Sequence, residues 1–488
     1  MHHRYLSIII LCFCTSLLLG QSKKVDKDKR SKKETPAELA NKIYTDNIRS
    51  VKFHVQGLPT SEPVVTLNSS TRMILRFDDV DLDVKDYVYS IQLHNRDWTL
   101  NEELTTFDFL QGFDEEILQE YAFSRTRYSD YVNYSLVLPN ERIKWKLSGN
   151  YVLKIYDTTE DRKLCLTRRF MVIDNQVIVQ PDVRAAFKND QRRSHQEVDF
   201  VLGFQDGVVF NAPDQISATV VQNGIWSKAI SNIKPLFIKA DELSFRYQNK
   251  ICFESGKEYR FVDMRSLDNR LNFVEAIEEG DQGFDVLVKK EQPRAHKNYF
   301  NSPDADGKFV VQNFDHISYR SLGNQTAIDT SITNRADLSE EELAERSNLQ
   351  SLVREINAQE AARAEEAQQL SAEYILTYFT LEAPQPVYGG EIFVFGELSD
   401  WRINENFQMR YNAEGLRYEA EVLLKQGYYN YMYAFQKTAD EGSQRFTFEE
   451  VEGNWFAADN TYQILVYYRP FGKRYDQLIG YKSFNRFN

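Results

Sequence analysis

Apolar and polar residues alternate with a period of two over much of the chain. Val51-Lys52-Phe53-His54-Val55, Met73-Ile74-Leu75-Arg76-Phe77 and Tyr87-Val88-Tyr89-Ser90-Ile91-Gln92-Leu93 each read as a strand. Tyr134-Ser135-Leu136-Val137-Leu138 ends at Pro139-Asn140, Ser148-Gly149-Asn150 turns the chain into Tyr151–Tyr156, and Thr167–Ile173 closes the set. The style continues in Val198–Leu202, Ile216–Val221, Glu258–Asp263 and Phe284–Val288, with Asn223-Gly224 as a hairpin signal. A last group runs from Glu373–Phe379 through Glu391–Phe395 and Tyr428–Tyr433 to Tyr462–Tyr468. Short strands between turn signals predict an all-β chain of three tandem immunoglobulin-like β-sandwich domains at 41–175, 176–295 and 296–488.

The period changes once. Ser339-Glu340-Glu341-Glu342 forms a capping box, and Leu343, Leu349, Leu352, Val353 and Ile356 follow at helical spacing. Ala361–Leu370 is built of good helix formers. A helical insertion over about 337–372 is expected before or within the third sandwich, as a surface element or as a docking helix.

The first residues differ again. Arg4 precedes an apolar run from Leu6 to Leu19, with Gly20-Gln21 at the expected cut, so 1–20 reads as a signal peptide. The run is short for a membrane span. No Cys follows the small residue, so no lipid anchor is expected, and 21–40 reads as a charged leader.

Composition narrows the function. The chain has 488 residues with 28 Tyr and 32 Phe, too aromatic for a disordered protein, and its formal charge of −13 argues against a nucleic-acid partner. Cys165 and Cys252 fall in different predicted domains and are expected as free thiols. Two distant Cys with His54, His94, His195, His296 and His316 scattered cannot build a zinc site. Asp79, Asp81 and Asp83 have the spacing of the first calcium-loop ligands, but Val84 and Ser90 stand where Gly and the bidentate Glu belong. There is no G-x-S-x-G, and no pair of carboxylates is placed across a cleft. No catalytic residue, metal, cofactor or small-molecule substrate is predicted.

Phe395-Gly396-Glu397-Leu398-Ser399-Asp400-Trp401, with Tyr428–Tyr433, is similar to the glycogen-binding branch of the early-set immunoglobulin-like domains. Trp401 is thereby a candidate sugar platform, and a periplasmic glycan-binding protein is the alternative reading.

A broader resemblance spans about residue 40 to the end. Tyr44–Ile48, Arg76-Phe77-Asp78-Asp79, Leu93-His94-Asn95-Arg96-Asp97-Trp98, Ser148–Tyr151 and Arg168–Val172 resemble the first domain of the plug proteins of the bacterial type IX secretion system. Val394–Leu398, Lys425–Tyr431, Tyr467–Gly472 and Ile479–Tyr481 resemble their tail. Asn95 stands where a Cys is expected after the His, and the helical segment reads as an insertion. The resemblance implies a non-enzymatic periplasmic protein of a Bacteroidetes-type bacterium. Such a protein closes the periplasmic mouth of a large SprA-like outer-membrane β-barrel translocon when no substrate occupies it, without itself entering the membrane. Candidate contact residues lie in two segments: Trp98, Phe107, Phe109 and Phe113 in the first, and Tyr467, Tyr468, Arg469, Phe471, Arg474 and Tyr475 in the second.

Overall fold

The alternating stretches form strands whose inward residues converge on three separate cores. The structure, a computed structural model, describes residues 41–159, 161–204, 213–239, 242–299, 304–315, 360 and 362–486. Strands make up 47% and helices 8%, so the fold is all-β.

In the first core, one sheet runs in the order Lys42–Ile43, Lys163–Ile173, Gly149–Asp157, Tyr87–His94, Glu115–Ile117, with Val64–Thr66 added in parallel to Lys163–Ile173. It faces a sheet in the order Ile48–Val55, Met73–Asp79, Val132–Leu138, Glu120–Phe123. Alternate residues of both sheets interdigitate, among them Leu75, Phe77, Tyr134, Tyr87, Tyr89 and Ile91. Phe77 and Tyr134 stack at 5.3 Å between centroids, and Tyr87 meets Tyr134 edge-on at 4.8 Å.

The outward face of the second sheet is buried too. Lys52, His54, Arg76 and Asp78 are all at most 5% exposed, because the third sheet system lies over them. Lys52 Nζ bonds Glu397 Oε2 at 2.5 Å and Lys425 Nζ bonds Asp78 Oδ2 at 2.5 Å. Alternation therefore marks a sandwich strand, while the charges between the apolar positions mark a contact between modules.

The second core departs from a tandem arrangement. Its first sheet is Val177–Ala185, His195–Phe204, Glu242–Ser244, Phe237–Ile238, with Cys252–Glu254 on His195–Phe204. Its second is Ile230–Ile233, Ile216–Gln222, Tyr462–Tyr468, Gln477–Phe484. The C-terminal hairpin thus completes the second core, pairing Ile216 with Tyr468 through Gln222 with Tyr462. Conversely, Arg260–Asp263, Val274–Gly280 and Gly283–Val288 belong to the third system, a nine-stranded sheet in which eight strands run from Arg260–Asp263 through Gly427–Lys437, Gly390–Phe395, Gln408–Asn412, Arg417–Lys425 and Tyr374–Glu382 to Gly283–Val288 and Val274–Gly280, with Phe309–Val311 added on Gly427–Lys437. That path closes around one core including Val262, Val286, Ile375, Phe379, Ile392 and Tyr431. The division at 295/296 consequently does not follow the strand pairing. The third system is inserted into the second, which no local pattern reveals.

The predicted helical insertion falls largely on 316–359, outside the described residues, as does the expected signal peptide and leader at 1–40. Residues 362–371 are helical. This turn docks on the first sandwich, where Glu365 Oε1 lies 3.3 Å from His54 Nε2 and 3.6 Å from Arg76 Nε. Cys165 and Cys252 are free, and burial pushes both thiols up to about 11. Asp79 is fully buried and accepts from Tyr87 Oη at 2.7 Å and Asn47 Nδ2 at 2.9 Å.

Candidate partner-binding face

The two segments singled out for contact are about 370 positions apart in sequence, and the fold brings them together. The first leaves Tyr87–His94 through a tight turn in which Trp98 N–H donates to Asn95 O and Asn95 N–H to Thr99 O. The second is the turn at Pro470-Phe471-Gly472 between the last two strands. Arg96 N–H donates to Asp476 Oδ2 at 2.9 Å, and Asn101 Nδ2 donates to Arg474 O at 2.9 Å. Arg469 Nη2 reaches Glu103 Oε1 at 2.6 Å, and Arg474 Nη1 reaches Glu103 O at 3.1 Å. One acidic residue is therefore gripped from both sides of the C-terminal turn.

Between Glu103 and Gly112 the chain makes the short helix Thr106–Phe109. Its Thr105 and Asp108 cap one another, and those hydrogen bonds hold the Asp108 carboxyl below its ordinary range. Gly112 has φ +144°, and a Cβ there would come within 2.5 Å of Arg142 O, so the turn that presents Phe113 requires glycine.

The ten candidate contacts divide by exposure. Phe107, Phe113 and Phe471 project into solvent, 64, 68 and 97% exposed. Arg469 and Arg474 lie on the rim and are committed to Glu103. Tyr475 is half-buried against the first core. Trp98, Phe109, Tyr467 and Tyr468 are buried, which corrects their assignment as direct contacts. Phe109 packs in the first core and Tyr468 in the second, while Trp98 and Tyr467 pack in the cluster between those two, where Tyr467 Oη donates to Asn150 Oδ1 at 2.9 Å. They hold the face from beneath.

Sequence reasoning missed the neighbouring surface. Ile117, Tyr121 and Phe123 are each about half exposed, on Glu115–Ile117 and Glu120–Phe123, which are the outer strands of the two sheets of the first sandwich. Glu115 and Glu116 beside them pair with Arg162 and Arg142. The signal was a cluster of large apolar residues in an acidic stretch with no clean alternation. Phe107, Phe113, Ile117, Tyr121 and Phe123 of the first sandwich and Phe471 of the C-terminal turn are all exposed large apolar side chains.

Trp401 lies elsewhere. Its ring meets Tyr259 and Phe395 edge-on at 6.3 and 6.0 Å, and it packs on Gly224 and Gly307 between the second and third systems. It is half-buried, a wedge as much as a platform. Among the described residues no group of three or more His, Cys, Asp or Glu is placed to hold a metal.

Residues 48–174, the sandwich that carries the Trp98–Phe123 surface, match the family model described as "Type 9 secretion system plug protein 1st domain". The chain carries a plug-protein first domain. The strands from Ile48 through Ile173 that build the first core fall within it. The crystal structure of a hypothetical protein from Parabacteroides merdae ATCC 43184 is similar over 92% of this chain and 99% of its own, at 27% identity and a TM-score of 0.75. The likeness thus extends beyond the plug first domain into the interleaved second and third systems. No curated protein matches.

Proposed function

We propose that this protein is a non-enzymatic plug that sits in the periplasm and covers the periplasmic opening of a large, SprA-like outer-membrane β-barrel translocon of type IX secretion when no substrate occupies it. The match of residues 48–174 to a plug-protein first domain carries the reading. The physics of the molecule supports it. An aperture is blocked by a rigid body of fixed shape, and here the first and third systems are locked together by charged pairs buried between them, Lys425–Asp78, Lys52–Glu397 and Arg168–Asp400. Such pairs fix relative orientation more than they add stability.

Reversible covering needs contact area with a few strong anchors, and aromatic side chains with little rotamer freedom supply both. Phe107, Phe113 and Phe471, with the neighbouring Ile117, Tyr121 and Phe123, are the contacts we assign. Cargo that competes for the same surface releases the plug by mass action. Crosslinking in intact cells, followed by identification of the partner, tests the reading. Recovery of a giant outer-membrane barrel protein supports it, and a partner set without one removes it.

A further inference from the structure

Where the three sheet systems meet, the surface encloses a cavity of about 390 Å³, within the size range of small-ligand sites. Each system contributes one tryptophan to its lining: Trp98 from the first, Trp226 from the second and Trp401 from the third. Trp98 and Trp226 meet edge-on at 5.1 Å, and the Arg169 guanidinium lies 4.4 Å from the Trp98 ring and 5.4 Å from that of Trp226.

The lining is built at some conformational cost. Trp98, Asp400 and Trp401 have φ of +63°, +56° and +57°. Left-handed backbone at bulky residues is uncommon and gathers at functional sites. Two such residues, Trp98 and Trp401, border this one cavity.

Two donors in the lining go unused. Trp98 is 4% exposed, and its Nε1–H has no hydrogen-bond partner among the described residues. Arg402 is half-buried, and among the described residues its guanidinium makes no ion pair or side-chain hydrogen bond. Burial, outweighing the nearby Asp400, depresses its pKa. The carboxylates on the cavity wall do not meet this need. Asp400 accepts from Arg168 Nη2 at 2.8 Å, and Asp97 accepts from Thr99 N–H at 3.0 Å and Thr99 Oγ1 at 2.6 Å. The half-buried Arg402 guanidinium, without an acceptor among the described residues, is open to one from outside the chain.

Flat apolar walls, hydroxyls from Ser227 and Ser231, and an uncommitted guanidinium define the ligand chemistry. We propose that this cavity binds a uronic-acid-type sugar, with the carboxylate on Arg402 and the apolar ring face against Trp226 or Trp401. Sugar faces stack on indoles, and a bidentate carboxylate contact suits arginine.

The test is calorimetric titration of the full chain, without its leader, with D-glucuronate, D-glucose and benzoate. Glucuronate is expected to bind, with glucose and benzoate each about tenfold weaker or more, the range lost with a charge-assisted hydrogen bond or a stacked ring face. Arg402→Gln is expected to reduce glucuronate binding to the level of glucose without lowering the melting temperature. Absence of glucuronate binding, equal binding of glucose or benzoate, or undiminished binding in R402Q overturns the proposal. Capture of the barrel is read separately and does not depend on this cavity.

Discussion

Lys425 Nζ lies 2.5 Å from Asp78 Oδ2, with both side chains at most 1% exposed, and the pair joins strands of the first and third systems. Asp78 also accepts from Tyr374 Oη at 2.7 Å and from Asn133 Nδ2 at 2.7 Å, and Lys425 Nζ lies 4.1 Å from the centre of the Tyr131 ring. Every lone pair that matters is answered, which is how two charges persist away from water. Removing one partner strands the other. Asp78→Ala or Lys425→Ala is expected to lower stability by about 3–5 kcal/mol, whereas replacing both with apolar residues of similar volume costs much less. Urea unfolding midpoints of the two single variants and the double variant check this.

A second buried carboxylate gives the protein an acid limit. Burial alone would raise the Glu452 carboxyl, but Arg260 and Arg294 outweigh it and hold the group at about 2. Arg260 Nε bonds Glu452 Oε1 at 2.9 Å and Arg294 Nε bonds Glu452 Oε2 at 2.7 Å. A depressed carboxyl contributes stability that is complete above its ordinary value of 4.5 and is lost as pH falls from there toward about 2. His94 adds to the same trend at higher pH. Its burial lowers it from 6.5 to about 4, so its contribution is present above 6.5 and fades as pH falls through that window. Asp304 opposes His94, because burial and then Asp306 raise its carboxyl to about 7, so melting temperatures are expected to fall below pH 4.5, where Glu452 takes up its proton. In Glu452→Gln the protein is less stable at neutral pH, and the lower part of the fall is flattened.

The wedge between the second and third systems depends on a glycine. Gly307 has φ +78°, and a Cβ there would collide with Tyr259 and Trp401. Gly307→Ala is expected to cost about 1–3 kcal/mol from backbone strain alone, and more if Trp401 is displaced. Thermal unfolding measures it, and a quenched or shifted tryptophan emission reports the displacement.

The exposed and buried aromatics of the candidate face should separate cleanly. Phe471→Ala, Phe107→Ala and Phe113→Ala remove no buried contact, so stability stays within about 0.5 kcal/mol of the parent. Barrel binding weakens by about 1–2 kcal/mol for each residue that acts as an anchor. Tyr467→Ala is expected instead to destabilise the fold by about 3–5 kcal/mol, because its ring is 1% exposed. Denaturation and barrel pull-down on the same four proteins distinguish the two classes.

The legible part of this fold is the part written in short range. Alternation located Met73–Asp79, Tyr87–His94 and Tyr462–Tyr468 because one face of each strand enters a core. Pairing partners were not legible. Nothing local in Tyr462–Tyr468 says that it lies against Ile216–Gln222, so the C-terminal hairpin was assigned to the wrong core. The candidate face was half legible for a related reason. Aromatic enrichment pointed to both the Trp98–Phe113 segment and the Tyr467–Tyr475 tail, and the Glu103 bonds to Arg469 and Arg474 unite them. Which aromatic faces out depends on where the strand ends and the turn begins, so Phe471 in the turn and Tyr467 on the strand look alike in sequence and differ from 97 to 1% in exposure. The cavity among Trp98, Trp226 and Trp401 is assembled from three systems, and only Trp98 and Trp401 stood out in advance.

The most direct measurement places a photo-reactive residue at Phe471 of the full chain in its native host and identifies what it captures. Capture of a giant outer-membrane β-barrel, diminished when secretion cargo is overproduced, is the predicted result. Efficient crosslinking that yields only other periplasmic proteins, with the barrel present in the same cells, would contradict the role of this protein as a cover.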